Sequence, residues 1–264
     1  MHAEPRFAAV VLAADRRSDD PVAAAAGVAA KCLAPVGGSP MAVRVVRALE
    51  ASERVQRIVL CGPAEVALQG SPELLALTTA GDVTWLAPEA TPSTSAAAAL
   101  AALPADAPVL LTTGDHALLD PDMVRHFVDH ARASGADVAV GLAPHALVRA
   151  AYPGTRRTVL RFRDGHYCGC NLFAFLTPRG RGMARLWRQV EDQRKKPMRV
   201  IGFVGWGATM LYALRMLSVA GALRRLAART GIRGHVVPMP FAEAAIDVDS
   251  VADLDLARSI AARR

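Results

Sequence analysis

The chain begins its patterned part with a continuous apolar run, FAAVVLA over residues 7–13. A run of that length without a polar position suits a strand buried on both faces, as in the middle of a parallel sheet. Short apolar runs recur at residues 57–61, 83–86, 109–113 and 137–142, and each predicts a further strand. Helical spacing separates them. Pro40 opens a helical pattern that runs through Ala51. Pro92 and the hydroxyls of Ser93, Thr94 and Ser95 precede a helix predicted over residues 93–103. Asp120 is an N-cap and Gly135 a stop for a helix over residues 121–134. Strands that alternate with helices predict βαβ units with right-handed crossovers, hence an α/β fold with a mostly parallel sheet.

Past residue 142 the pattern changes. Residues 159–163 and 167–175 read as two extended segments around an Asp164-Gly165 turn. Residues 180–194 and 198–230 are predicted largely helical, 235–238 and 245–248 as short strands, and 251–262 as a closing helix. The stretch 200–222 is strongly apolar, but Arg215 interrupts it and Gly202, Gly205 and Gly207 dilute it. A spanning helix wants about 20 clean apolar residues, so a buried or interfacial helix is expected instead. No repeat or linker is visible. The expected organisation is one domain over residues 1–264, with a helical lid or acceptor-side insertion at about residues 176–232.

Composition adds two constraints. Hydrophobic residues make up 52% of the 264, which excludes a disordered chain. The formal charge of +7 favours anionic partners such as nucleotides and phosphates. A nucleic-acid module is not expected, because no aromatic-basic pattern or recognition motif accompanies the charge. The four cysteines, Cys32, Cys61, Cys168 and Cys170, have no zinc-ligand spacing and read as free thiols of a reducing compartment. The first apolar run has neither the length nor the cleavage site of a signal peptide, so a cytoplasmic location is expected.

Four segments carry candidate chemistry. Residues 15–31 follow the first strand, where ligands of open α/β sheets collect, and include Arg16, Arg17 and Lys31 for phosphate oxygens. They also read as a solvated loop. Residues 31–41 place Lys31 ahead of a rigid Pro/Gly segment, a way to aim an ammonium at charge that builds on phosphates. Residues 110–115 end an apolar strand in Gly114-Asp115. A carboxylate there suits Mg²⁺, which needs hard oxygens and keeps several waters, although a lone Asp after a strand is also an ordinary turn residue. In the fourth segment, Asp249 or Ser250 reads as a cap of the last helix, while Asp247 is either an exposed strand residue or part of a second metal carboxylate set opposite Asp115.

These segments, in this order, resemble the MobA-like NTP transferase (molybdopterin-guanylyltransferase-like) family. The pattern K-x-L-x-P-V-x-G-x-P-M at residues 31–41 is the most specific match; Gly114-Asp115 and the D-x-D-[ST]-x-x-D-L ending at residues 247–254 add to it. The resemblance implies a Rossmann-like, three-layer nucleotidyltransferase (GT-A-like) fold with a mixed, mostly parallel sheet. It implies a catalytic, phosphate-contacting Lys31, assisted by Arg16, and Mg²⁺ held by Asp115 and Asp249 with Asp247 nearby. Nucleotide contacts are implied for Ala13, Ala14, Asp15, Arg17, Lys31, Thr94, Ser95 and Gly114, and Asn171 falls on the acceptor-side strand. The family's glycines after the first strand are missing, since Leu12-Ala13-Ala14 continues as Asp15-Arg16-Arg17.

The expected reaction is transfer of NMP from an NTP to a phosphorylated small-molecule or lipid-like acceptor, with release of pyrophosphate. Arg156, Arg157, Arg161 and Arg163 are candidates for the acceptor phosphate; Arg161 and Arg163 share a face if their segment is a strand. The apolar segment 198–217 is expected to form a lid, a dimer contact or a peripheral membrane surface. The alternatives are a regulatory nucleotide-binding homologue without turnover and a glycosyltransferase of related fold. His116 and Ala117 after Asp115 leave the latter without its D-x-D motif.

Overall fold

The structure is a computed structural model and describes residues 6–15, 17, 19–81, 83–184, 186–187 and 206–263. The first half runs β1 (Phe7–Leu12), α1 (Pro21–Ala26), a 3-10 turn (Lys31–Leu33), β2 (Pro35–Val36), β3 (Ser39–Pro40), α2 (Met41–Ala51), β4 (Val55–Cys61), α3 (Glu65–Gln69), α4 (Pro72–Thr79), β5 (Val83–Leu86), α5 (Pro92–Ala101), β6 (Val109–Thr113) and α6 (Pro121–Ala133). The second half runs β7 (Val138–Pro144), α7 (His145–Ala151), β8 (Val159–Phe162), β9 (Gly165–Phe175), α8 (Trp206–Ala213), α9 (Val219–Thr230), β10 (Gly234–Pro238), a 3-10 turn (Ala242–Ala245) and α10 (Val251–Ala261).

The main sheet has eight strands in the order β10-β7-β9-β6-β1-β4-β5, with β8 hydrogen-bonded to β9. β1, β4, β5 and β6 are parallel, as are β7 and β10; β9 is antiparallel to β6, β7 and β8. The sheet is therefore mixed and mostly parallel, with helices on both faces. β1 shows why its sequence has no polar position. Phe7, Ala9 and Val11 enter one apolar core, and Ala8 and Val10 enter the other. Successive side chains of a strand point to opposite faces, and here both faces are covered.

Each face is closed by a different kind of helix. On the first, α2 buries Val43, Val45, Val46 and Leu49 completely. Each such side chain contributes about 1.5–3 kcal/mol relative to exposure. On the second, α5 presents Ala96 and Ala99, both fully buried, and these small side chains let the helix lie close to β1 and β4. Its N-cap is Thr91, in a capping box with Thr94, two residues ahead of the predicted start.

Two predicted elements differ from the structure. Residues 245–248 form no strand; they leave the 3-10 turn as irregular chain. Ala245, Ile246 and Val248 are buried, so apolar packing of a loop imitated a strand signal. The described part of the helix predicted over 198–230 breaks into α8 and α9. Arg215 turns the chain with φ 57, and Ser218 and Asp164 accept hydrogen bonds from the first amides of α9. Residues 198–205, and most of the helix predicted over 180–194, lie outside the described residues. Among the described residues no helix is long and apolar enough to cross a membrane.

Candidate active site

The carboxyl ends of β1, β4 and β6 meet at one edge of the sheet. The Ala13 amide donates to the Cys61 carbonyl at 2.8 Å, and the Gly114 amide donates to the Leu12 carbonyl at 2.8 Å. The strands approach closely. A Cβ on Gly114 would lie 2.9 Å from the Ala13 Cβ, and one on Gly62, at φ +85, would lie 2.9 Å from the Ala14 nitrogen. Glycine is needed at both places for that reason.

Lys31 begins the 3-10 turn that follows α1, and its amide donates to both carboxylate oxygens of Asp15, at 3.1 and 2.9 Å. That contact links the two ends of the loop after β1. Burial raises the Asp15 carboxyl above its ordinary value, against the lowering effect of the Lys31 amide. The Lys31 ammonium lies 2.5 Å from Asp115 Oδ2 and 3.3 Å from Asp249 Oδ1. Burial works against the charge on Lys31, but the two carboxylates outweigh it and hold the amine above its ordinary pKa. Thr113 donates its hydroxyl to Asp115 Oδ1 at 2.6 Å. The Val248 amide donates to the Asp115 carbonyl at 3.1 Å, and this bond carries the 247–249 segment up to the end of β6. Lys31, Asp115 and Asp249 thus come together from positions far apart in the chain.

Asp247 is engaged elsewhere. Arg157 donates to its Oδ1 at 2.5 Å and to its carbonyl at 3.0 Å, and Asn171 donates to its Oδ2 at 2.8 Å. Burial, reinforced by the charges of Asp115 and Asp249, raises the Asp247 carboxyl against the pull of Arg157. Each Asp247 oxygen thus accepts a hydrogen bond from Arg157 or Asn171, whereas Asp115 and Asp249 both reach the Lys31 ammonium. Among the described residues, no group of three or more His, Cys, Asp or Glu is arranged to hold a metal ion. Two carboxylates that converge on one cation nevertheless fit Mg²⁺ as a hard-oxygen donor pair, since this ion needs only one or two protein carboxylates when phosphates supply other ligands.

The remaining predicted residues are distributed as follows. Arg17 is exposed and pairs with Asp19 at 2.7 Å, and Arg16 lies outside the described residues. Ala13 is buried against Gly114, and Ala14 stands beside Gly62. The Thr94 hydroxyl serves the α5 capping box, and the Ser95 hydroxyl accepts from the Glu89 amide at 2.9 Å, so both hydroxyls hold the chain itself. Arg156 and Arg161 are exposed. Arg163 is exposed just past the end of β8, so the two arginines do not share one strand face as predicted. Arg157 points inward, to Asp247 and Asp253, and not to an open acceptor side. Asn171 adopts φ 48, and its amide serves Asp247.

His116 is buried, with neither ring nitrogen hydrogen-bonded. Burial pushes its imidazole down to about 4, against the Asp115 charge. It is a neutral packing residue next to Asp115. Sequence reasoning missed Thr113 as a partner of Asp115 and Asp15 as the acceptor for the Lys31 amide. The only signal for Thr113 was a hydroxyl at the end of the strand, two positions before the acid.

A family model described as the MobA-like NTP transferase domain matches residues 9–235. The match contains Lys31 and Asp115 and stops short of Asp249. No curated protein is a detectable sequence relative of the chain. Among solved structures, a hypothetical transferase from Thermus thermophilus is 28% identical with a TM-score of 0.79, over 94% of this chain and 99% of that one. A 4-diphosphocytidyl-2C-methyl-D-erythritol synthase from Anaerococcus prevotii shares the fold at 11% identity and TM-score 0.60, over 98% of this chain and 97% of its own. A CMP:2-keto-3-deoxy-manno-octonic acid synthetase, in complex with CTP, shares it at 16% identity and TM-score 0.59, over 98% and 99%.

Proposed function

The chain belongs to the MobA-like NTP transferase family, and on that premise we propose that it moves a nucleoside monophosphate from a triphosphate to a phosphorylated acceptor. The observation that carries this reading is the Lys31 ammonium held between Asp115 and Asp249 at the carboxyl edge of the sheet. In the proposed step, an oxygen of the acceptor phosphate forms a bond to the α-phosphorus. The bond from that phosphorus to the bridging oxygen breaks, and pyrophosphate leaves with the electron pair. An acceptor phosphate that is already ionised needs no general base, so the residues contribute alignment and charge.

Lys31 exchanges its carboxylate partners for phosphate oxygens and stabilises the charge that develops on the leaving pyrophosphate. Asp15 holds the Lys31 backbone in place through its amide. Asp115 and Asp249 are the residues that would hold Mg²⁺, and the chemistry a bound Mg²⁺ supplies is charge neutralisation on the phosphate oxygens. Residues 13–15 and Gly114 line the edge to which the polyphosphate is assigned. Arg161 on β8 and Arg163 just past it, both exposed, are assigned to the acceptor phosphate.

The test is pyrophosphate release from ATP, CTP, GTP and UTP, each with Mg²⁺ and a panel of sugar, polyol and lipid phosphates. At least one pair is expected to turn over. Nucleotide binding without release for any pair would instead favour a regulatory protein.

A further inference from the structure

We propose that Arg157 is a positioning residue that clamps both flanks of Asp249 and so fixes where that carboxylate stands relative to Asp115. The inference rests on the reading of Asp115 and Asp249 as a metal-holding pair and adds to it the device that keeps the pair together.

Asp249 needs such a device. Its side chain is 70% exposed, and its ion pair with Lys31 is a long one at 3.3 Å. Burial therefore does not place it; the backbone on either side must. Arg157 lies between α7 and β8 with a side chain only 8% exposed. Its Nη1 donates to the Asp247 carbonyl and carboxylate, before Asp249. Its Nη2 donates to Asp253, after it. Its Nε donates to Thr155 Oγ1 at 3.0 Å, which orients the guanidinium plane. One rigid fork thus spans the stretch that carries Asp249.

Both acids are held from the other side as well. Asn171 takes the second oxygen of Asp247 at 2.8 Å, from a left-handed backbone conformation that asparagine tolerates better than most residues. Ser250 donates to the second oxygen of Asp253 at 2.6 Å and accepts the Asp253 amide, capping α10. Val248, fully buried, fastens the same stretch to Asp115 through its amide. A buried cation shared by two acids adds little net stability, because desolvation offsets much of the attraction. Lysine retains the charge but lacks the planar fork that reaches both flanks at once.

The test uses Mn²⁺ alone as a probe for Mg²⁺, titrated into the full chain and followed by the electron paramagnetic resonance signal of free Mn²⁺. Asp115→Asn is expected to weaken binding and so locate the ion. Arg157→Lys and Arg157→Met are expected to weaken it by about 10-fold or more, the usual cost of losing an outer-shell partner. Asn171→Ala should have the same direction and a smaller size. A fall in melting temperature with unchanged Mn²⁺ affinity in the folded Arg157 variants means a merely structural role and overturns the clamp. Should neither Arg157 variant fold, Asn171→Ala decides by the same criterion. Unchanged affinity in Asp115→Asn instead removes the metal-pair reading itself, and the clamp with it.

Discussion

Lys31 and Asp115 stand on segments joined to the buried ends of β1 and β6, whereas Arg161 stands on β8 and Arg163 just past it, exposed in the β8–β9 hairpin. The first pair is mostly buried, tightly bonded and fixed by close strand approaches at Gly62 and Gly114. The second pair is exposed, and its backbone is tied to Tyr212 of α8 and to Leu217 beyond it: the Arg161 amide donates to the Tyr212 hydroxyl at 3.2 Å and the Arg163 amide to the Leu217 carbonyl at 2.9 Å. Chemistry that is common to a family needs a fixed edge, and recognition of a particular acceptor tolerates a variable one. Loops and hairpins on a rigid scaffold are where such variation is usually carried.

This contrast gives ordered expectations. Lys31→Ala should act most strongly, lowering kcat/KM for pyrophosphate release by about 100-fold or more, the scale of a lost transition-state charge partner. A change within about threefold would remove Lys31 from its role, since that is well under 1 kcal/mol.

Asp137→Ala should come next, in stability. Asp137 is buried at the start of β7, where it accepts from the Arg233 amide and the Thr177 hydroxyl. The Arg233 amide, followed by the Thr177 hydroxyl and in opposition to burial, holds the carboxyl below its ordinary value of 3.8. A carboxylate with a depressed folded pKa adds stability above its unfolded value, and that stability is lost as pH falls through the folded one. Denaturant unfolding at pH 7 should show a loss of about 2 kcal/mol, within the range for hydrogen bonds to a charged group. The difference between variant and wild type should shrink below pH 3.8, and a pH-independent difference would refute the assignment.

Arg161→Ala and Arg163→Ala should have the smallest effect. KM for the acceptor should rise about fivefold each, roughly 1 kcal/mol of uniform binding, with kcat little changed. An equal loss of kcat would move these arginines from the acceptor side into the reaction itself.

Much of the parallel core was legible in the sequence because burial on both faces leaves a plain signal. β1 is wholly apolar, and β4 and β6 carry the apolar runs Ile58–Cys61 and Val109–Leu111. Lys31, Asp115 and Asp249 were legible as members of motifs, and the resemblance implied that they meet, but the Val248–Asp115 backbone bond that helps bring them together was not legible. Residues 245–248 were misread because a buried loop and a buried strand share the same apolar alternation. Arg157 was misread for a related reason. Exposed and buried arginines look alike in sequence, and only the fold shows that two acids from the end of the chain close around this one. The role of Asp15 was hidden because a carboxylate in a loop after a strand gives no sign that it will hold an amide sixteen residues on.

The central claim is that Lys31, Asp115 and Asp249 form one site for a polyphosphate with its metal. The most direct measurement is the melting temperature of wild type and Asp115→Asn with each of the four nucleoside triphosphates, with and without Mg²⁺. At about 100 times Kd, a ligand adds about 2.7 kcal/mol, a rise of about 5 °C or more for a domain of this size. The account predicts such a rise for at least one triphosphate, dependent on Mg²⁺ and lost in Asp115→Asn. No rise with any of the four, or an equal rise in the variant, would contradict it.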